Sequence, residues 1–192
     1  MSKKGPQWER DVATMLSEWW TADEPDGPRQ DVFWRTAGSG ARATTRGKKG
    51  KQTKNAHGDQ LASDPIGQPL IDFILFEVKR GYSNDHIHAL LDRPARGKMP
   101  MYGKWIVKAQ ASAKSAGVPH WMIISKRDRR DALVIASMDL WDSLSIDIIP
   151  LWTFYVDDGR NAVGGCRLSE FLQWVEPDDI REALKRRQRR KT

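Results

Sequence analysis

Trp8, Val12, Met15, Leu16 and Trp19 recur at the three- and four-residue intervals that put side chains on one side of a helix. The stripe predicts an amphipathic helix from Pro6 to Trp20, and Pro6 suits a first helical position, where its missing N–H leaves no bond unmade. Glu9 falls at the edge of the stripe and Glu18 on its far side. Prolines, a glycine and several acids between Thr21 and Gln30 predict a loop. Asp31 to Arg35 reads as a short strand, ended by Ala37-Gly38-Ser39-Gly40. The next segment, 41–56, has no apolar period and predicts a mobile basic loop.

A hairpin is then expected: one arm from Gly58 to Ala62, a turn over Ser63 to Pro69, and a second arm, Leu70 to Lys79, rich in β-branched and aromatic residues. Tyr82 to Tyr102 reads as an irregular excursion with one helical turn, and a helix follows from Lys104 to Ala116, closed by Gly117. Two apolar runs, Trp121 to Ser125 and Ala132 to Ala136, flank the basic turn at 126–130 and predict a second hairpin. Beyond Met138 the pattern predicts a short helix, an apolar run from Ile148 to Val156 and a final helix from Leu168 to Arg187. The order helix, strands, helix, strands predicts an α/β fold with a mixed central sheet flanked by helices. The expected division is a core over 1–137 and a C-terminal extension over 138–192 that packs on it and ends in a basic tail.

Composition changes this picture in two respects. A net charge of +7 makes polyanions, above all nucleic acid, the favoured partners. The single cysteine, Cys166, excludes an internal disulfide framework and a Cys-rich zinc site, fits a reducing compartment, and reads as structural because no base stands beside it. The N-terminus lacks the continuous apolar core of a signal peptide, and no stretch is long and apolar enough to span a bilayer; a cytoplasmic protein without a membrane partner is expected. His57, His86, His88 and His120 come without cysteines or a helical His pair, so no zinc site is expected. The nine tryptophans lie mostly on apolar stripes and read as core.

Chemistry enters with Phe76-Glu77-Val78-Lys79. Strand alternation puts Glu77 and Lys79 on one face and Val78 on the other, and Ile71, Phe73 and Leu75 are expected to share the face of the charged pair. A pair kept charged to protect a sheet edge is the structural alternative. Phosphodiester hydrolysis needs a hard cation held by carboxylates and a positive group near the attacking water or the phosphate. Asp59, on the preceding arm, is the further acid, and Gly58 beside it permits close backbone approach. Asp72 competes but lies an odd number of residues from Glu77, and Asp64, before Pro65, reads as a turn residue.

Asp59 followed by Glu77-Val78-Lys79 resembles the PD-(D/E)xK nuclease superfamily. The stretch from Phe33 to Gly40, then Gly58-Asp59 and Phe76 to Lys79, looks like the archaeal-type and phage Holliday junction resolvases, over roughly Trp8 to Ala136. The resemblance implies a restriction-endonuclease-like core. It also implies that Glu9 on the first helix completes a metal shell with Asp59, Glu77 and the Val78 carbonyl, that Arg35, Ser39 and Gly40 form an Arg-x-x-x-Ser-Gly element, and that Gln110 lends support. Mg²⁺, with Mn²⁺ as a substitute, Lys79 as the group that orients water or stabilises charge, branched DNA as substrate and a homodimer follow from the same likeness. Gly58 stands where a proline begins the motif elsewhere, the interval from Asp59 to Glu77 is longer than in compact members, and the segments 82–102 and after 138 have no counterpart in the motif. Arg42, Arg46, Lys48, Lys49, Lys51 and Lys54, lying between Ser39 and Asp59, are expected to form an arm that orders on DNA phosphates. A restriction-like or DNA-processing nuclease, and a non-catalytic DNA-binding protein, are the alternative functions.

Overall fold

The computed structural model describes residues 4–36, 58–82, 84–90, 98–144, 150–156 and 161–189. The chain runs α1 (Lys4–Trp20), β1 (Phe33–Arg35), β2 (Gln60–Ala62), α2 (Gln68–Phe73), β3 (Ile74–Arg80), α3 (Met101–Ala116), β4 (His120–Lys126), β5 (Ala132–Ser137), α4 (Met138–Ser143), β6 (Trp152–Val156), β7 (Asn161–Arg167), α5 (Leu168–Trp174) and α6 (Pro177–Arg189). Short 3-10 turns at Pro65–Gly67 and Ile87–Leu90 interrupt it.

Five strands form a mixed sheet in the order β3-β4-β5-β7-β6, parallel between β3 and β4 and antiparallel elsewhere. A parallel pair needs a crossover, and α3 lies between these two strands in the chain. Alternation then divides the interior into two layers. Ile74, Phe76 and Val78 of β3, with Met122, Ile124, Val134 and Cys166, face α1 and the C-terminal helices. Leu75, Trp121, Ile123, Ile135 and Val163 face Tyr102, Trp105, Ile106 and Ala109 of α3. This is the expected α/β, restriction-endonuclease-like core, a mixed sheet with helices on both faces.

The α1 stripe is buried as its period predicts, through Trp8, Val12, Leu16 and Trp19, with Met15 packed at the margin and Trp20 added. Trp19 and Trp20 donate their indole N–H groups to the Val175 and Ile66 carbonyls, which ties the helix end to α5 and to the turn before α2. The hairpin at 121–136 forms as expected, from β4 and β5.

Three expectations are overturned. The Gly58–Ala62 arm does not pair with 70–79: β2 pairs antiparallel with β1, matching Phe33 to Ala62 and Arg35 to Gln60. Residues 68–73 form helix α2 rather than strand, so Ile71, Phe73 and Asp72 do not belong to the strand of Glu77. The local cause is capping: the Asp64 carboxylate accepts from the Ile66 N–H at 3.0 Å and takes an ion pair from Arg29 at 2.7 Å, and Pro65 and Pro69 sit in the first turns of the two helical segments. The helix read from 168 to 187 is two, broken where Val175 turns extended two residues before Pro177. The strand β7, running through Gly164-Gly165, was not expected at all. The basic segment 41–56 lies outside the described residues.

His120 opens β4 in a closed site, edge-on to the Phe73 ring with centroids 4.6 Å apart. Burial, reinforced by the charge of Arg187 and opposed by Asp139, lowers its pKa to about 4. The native state therefore refuses a proton that the unfolded chain accepts below about pH 6.5, and stability falls as pH drops from there towards 4. Denaturant unfolding over this window should lose about 3 kcal/mol from this group. His120→Leu should flatten that part of the profile; an unchanged slope would exclude His120 as its source.

Candidate active site

The outer edge of β3, opposite β4, is where the proposed acids meet. Gly58 has φ of +80°, and a Cβ on it would lie 2.8 Å from the Phe76 carbonyl oxygen. Only glycine lets the chain run this close to β3. Asp59 then bonds the edge twice: its N–H donates to the Phe76 oxygen at 2.7 Å, and its Oδ2 accepts from the Val78 N–H at 2.7 Å. On the β1 side, the Thr36 N–H donates to the Asp59 carbonyl at 3.0 Å. Asp59 and Glu77 are 4% and 3% exposed and the Lys79 side chain 14%, so the Glu77–Lys79 pair is turned inward and not out into solvent as a pair guarding a sheet edge would be.

Lys79 joins them. Its Nζ lies 2.6 Å from Glu77 Oε2 and 3.2 Å from Asp59 Oδ2, and donates at 3.3 Å to the Val78 carbonyl. Lys108, from α3, reaches Glu77 Oε2 at 3.1 Å. Glu9 comes from α1 and is held by Arg35 of β1 at 3.0 Å; Gln60 of β2 donates to the Glu9 carbonyl at 2.8 Å. Each acid thus arrives on a different element: α1, the approach to β2, and β3.

The electrostatics distinguish the carboxylates. Burial raises the pKa of Asp59 and the neighbouring Glu77 adds to this, so that the Lys79 charge and the Val78 N–H do not fully compensate. Burial pushes Glu77 upward too, but the charges and hydrogen bonds of Lys79 and Lys108 outweigh it, and its pKa is lowered. The two share Lys79 yet shift in opposite directions: burial weighs more on Asp59, and among the described residues Glu77 alone has a second ammonium. Burial and then repulsion by Asp59 raise Glu9 against the pull of Arg35. Burial opposes the charge on Lys79, but Asp59 and Glu77 prevail and raise its pKa, keeping it an ammonium. Environments that push paired acids apart are a mark of functional sites.

Among the described residues no group of three or more His, Cys, Asp or Glu gathers closely enough to hold a metal ion. Glu9 is turned to Arg35, and Lys79 stands between the other two acids. The donor set nonetheless suits a hard divalent cation. It is all oxygen, and the hydrogen bonds that Asp59 and Glu77 accept from described residues fall on Oδ2 and Oε2.

Of the other expected site residues, Arg35 is in place beside Glu9, and Gln110 lies exposed on α3, two residues beyond Lys108. Ser39, Arg42, Arg46, Lys48, Lys49, Lys51 and Lys54 lie outside the described residues. Asp72 is exposed and bonded to Gln68, away from the cluster, and Asp64 is the cap of a turn, as its place before Pro65 suggests. Lys108 and Gln60 escaped sequence reasoning. Lysines at 104, 108 and 114 recur along α3, and only packing selects the one that meets Glu77.

No curated protein and no solved structure matches the chain. A family match covers residues 1–179, reaching beyond the 8–136 stretch on which the resemblance rests and taking in β6, β7 and α5. With Asp59, Glu77 and Lys79 gathered on one strand edge, this chain belongs to the phage putative PDDEXK endonuclease family, and so to the nucleases of the PD-(D/E)xK superfamily.

Proposed function

We propose that the chain is a divalent-metal-dependent DNA endonuclease that resolves branched DNA, above all four-way junctions. The observation that carries the catalytic part is the buried Asp59–Lys79–Glu77 cluster on the outer edge of β3. Asp59, Glu77 and the Val78 carbonyl, with Glu9 once released from Arg35, would hold one or two Mg²⁺ ions. Such an ion polarises the phosphate and acidifies a water when bound.

The protein's own groups do the rest. The two backbone bonds from Asp59 to β3 fix its carboxylate relative to Glu77 without help from side-chain packing. Lys79, kept protonated by both acids, is the cation that orients water or meets the charge developing on phosphorus. Lys79, with Lys108 adding to it, holds Glu77 ionised and so ready to act as an oxygen ligand. Arg35 pairs with Glu9 and stands ready for phosphate when that acid turns. The branched substrate is supported by the order Arg35, Ser39, Gly40, Asp59, Glu77, Lys79, and paired symmetric cuts call for a homodimer.

The test is cleavage of a labelled four-way junction beside a matched linear duplex, with Mg²⁺, with Mn²⁺ and with chelator. Symmetric cuts in the junction alone, present with either metal and lost in chelator, are expected. Equal cutting of both DNAs would overturn the junction assignment and keep the nuclease. Cutting that survives chelation would overturn the metal role.

A further inference from the structure

Behind the acid cluster, on the other side of the same two elements, lies a second basic site. A cavity of about 410 Å³ is lined by Lys4, Gln7, Trp8, Arg10, Asp11, Arg80 and Lys126. Four of these side chains are cations and one is an anion. Arg80 and Lys126 are register partners at the ends of the parallel strands β3 and β4, so two positive groups are set side by side by the sheet itself.

Their arrangement is specific. The Trp8 ring is buried beneath them, with Lys126 Nζ 4.8 Å and the Arg80 guanidinium carbon 6.0 Å from its centroid. Asp128 bridges Arg80 and Lys4, at 3.0 and 2.8 Å, and steadies both at the rim. Arg80 Nη1 is buried without a hydrogen-bond partner. Arg10 bonds only Gln7, and Lys126 meets no carboxylate, among the described residues. Like charges gathered on an aromatic floor, with too few acids to neutralise them, are stable only if water or an anion completes them.

We propose that this cleft binds a backbone phosphate of the nucleic acid, other than the one that is cut. The inference rests on the nuclease reading of the neighbouring cluster. Arg80 follows Lys79 directly on β3, and Arg10 follows Glu9 directly on α1. Strand alternation turns Arg80 to the face of β3 opposite Lys79, so the cleft takes a phosphate other than the one held at the acid cluster. Arg10 and Lys126, which meet no carboxylate among the described residues, are the cations left for a phosphate, while Arg80 stays paired with Asp128 and adds its charge. An acidic peptide would meet the same charges but has no reason to lie beside the acid cluster.

The test uses the full chain in chelator, with DNA affinity followed across a salt series for wild type, Arg10→Ala/Lys126→Gln and the remote control Lys114→Ala. The double variant should bind about tenfold more weakly and lose about one unit of log–log salt slope, with its thermal melt unchanged and the control like wild type. An unchanged slope in the folded double variant would overturn the proposal. A covalently closed DNA circle should show the same loss as linear duplex; a loss confined to duplexes with a 5′-terminal phosphate would overturn the backbone assignment. A variant that melts early is replaced by Arg10→Gln alone, whose expected loss is about half a unit of slope. Chelator removes metal-dependent cutting from the measurement, so a wild type that binds with this slope but cuts nothing would overturn the proposed function and leave the cleft.

Discussion

Glu77→Ala is expected to lower DNA cleavage by about a thousandfold or more, a loss of about 4 kcal/mol of transition-state stabilisation. Glu77 is the acid on which the site converges: it is 3% exposed, and it takes Lys79 at 2.6 Å and Lys108 at 3.1 Å on the same oxygen. Its removal deletes a proposed oxygen ligand and takes from Lys79 and Lys108 the carboxylate they share. The fold should survive, because the Lys79–Asp59 pair and both backbone bonds of Asp59 remain. The measurement is single-turnover cleavage of a junction and a duplex, with circular dichroism to confirm folding. Asp72→Ala supplies the contrast. Asp72 competes with Asp59 in the sequence but is exposed on α2 and bonded to Gln68, so its removal should change the rate by no more than about twofold. Comparable losses from both variants would show that the β3 edge is not the catalytic centre.

Gly165→Ala is expected to be the most destabilising single-methyl change in the sheet, at about 3 kcal/mol or more. A Cβ built there lies 2.2 Å from Trp152 Cζ2 on β6 and 2.3 Å from the Val134 carbonyl oxygen on β5. Gly165 pairs with both Ile135 and Trp152, so the strand cannot yield to one neighbour without pressing on the other. The indole occupies the space that a side chain on β7 would take. In a chain of this size the change should lower the melting temperature by about 6–12 °C. Trp152→Ala in the same chain should recover part of the loss, since it removes one of the two obstacles. A Gly165→Ala protein that melts like wild type would mean that β7 does not run between β5 and β6 as described.

Both results bear on how far the chain can be read without its tertiary structure. Periodicity was enough for α1, whose stripe from Trp8 to Trp19 is the buried face, and for the β4–β5 pair, whose two apolar runs are close in the chain and have few other ways to pair. Asp59, Glu77 and Lys79 were legible because charge in an apolar strand is costly unless the groups meet one another, and their spacing let them meet. Helix α2 was not legible. Leu70 to Phe73 has strand-like composition, and the Asp64 cap with the prolines that follow it outweighs that propensity. Strand β7 was hidden for a related reason: Gly164 and Gly165 weaken any local preference for a strand and are tolerated because β5 and β6 hold the backbone on both sides.

The sequence by itself determined which residues must be buried, which charges must find partners, and hence the chemistry available to this protein. These follow from local period and from the cost of burying an unpaired charge, and neither depends on what lies far along the chain. The tertiary structure alone decided that β2 pairs with β1, that Asp59 reaches β3 through its backbone, that Lys108 and not another lysine of α3 meets Glu77, and that Arg80 and Lys126 share a cleft over Trp8. Strand edges offer the same N–H and C=O groups whatever their side chains, so the choice of partner comes from how the layers pack.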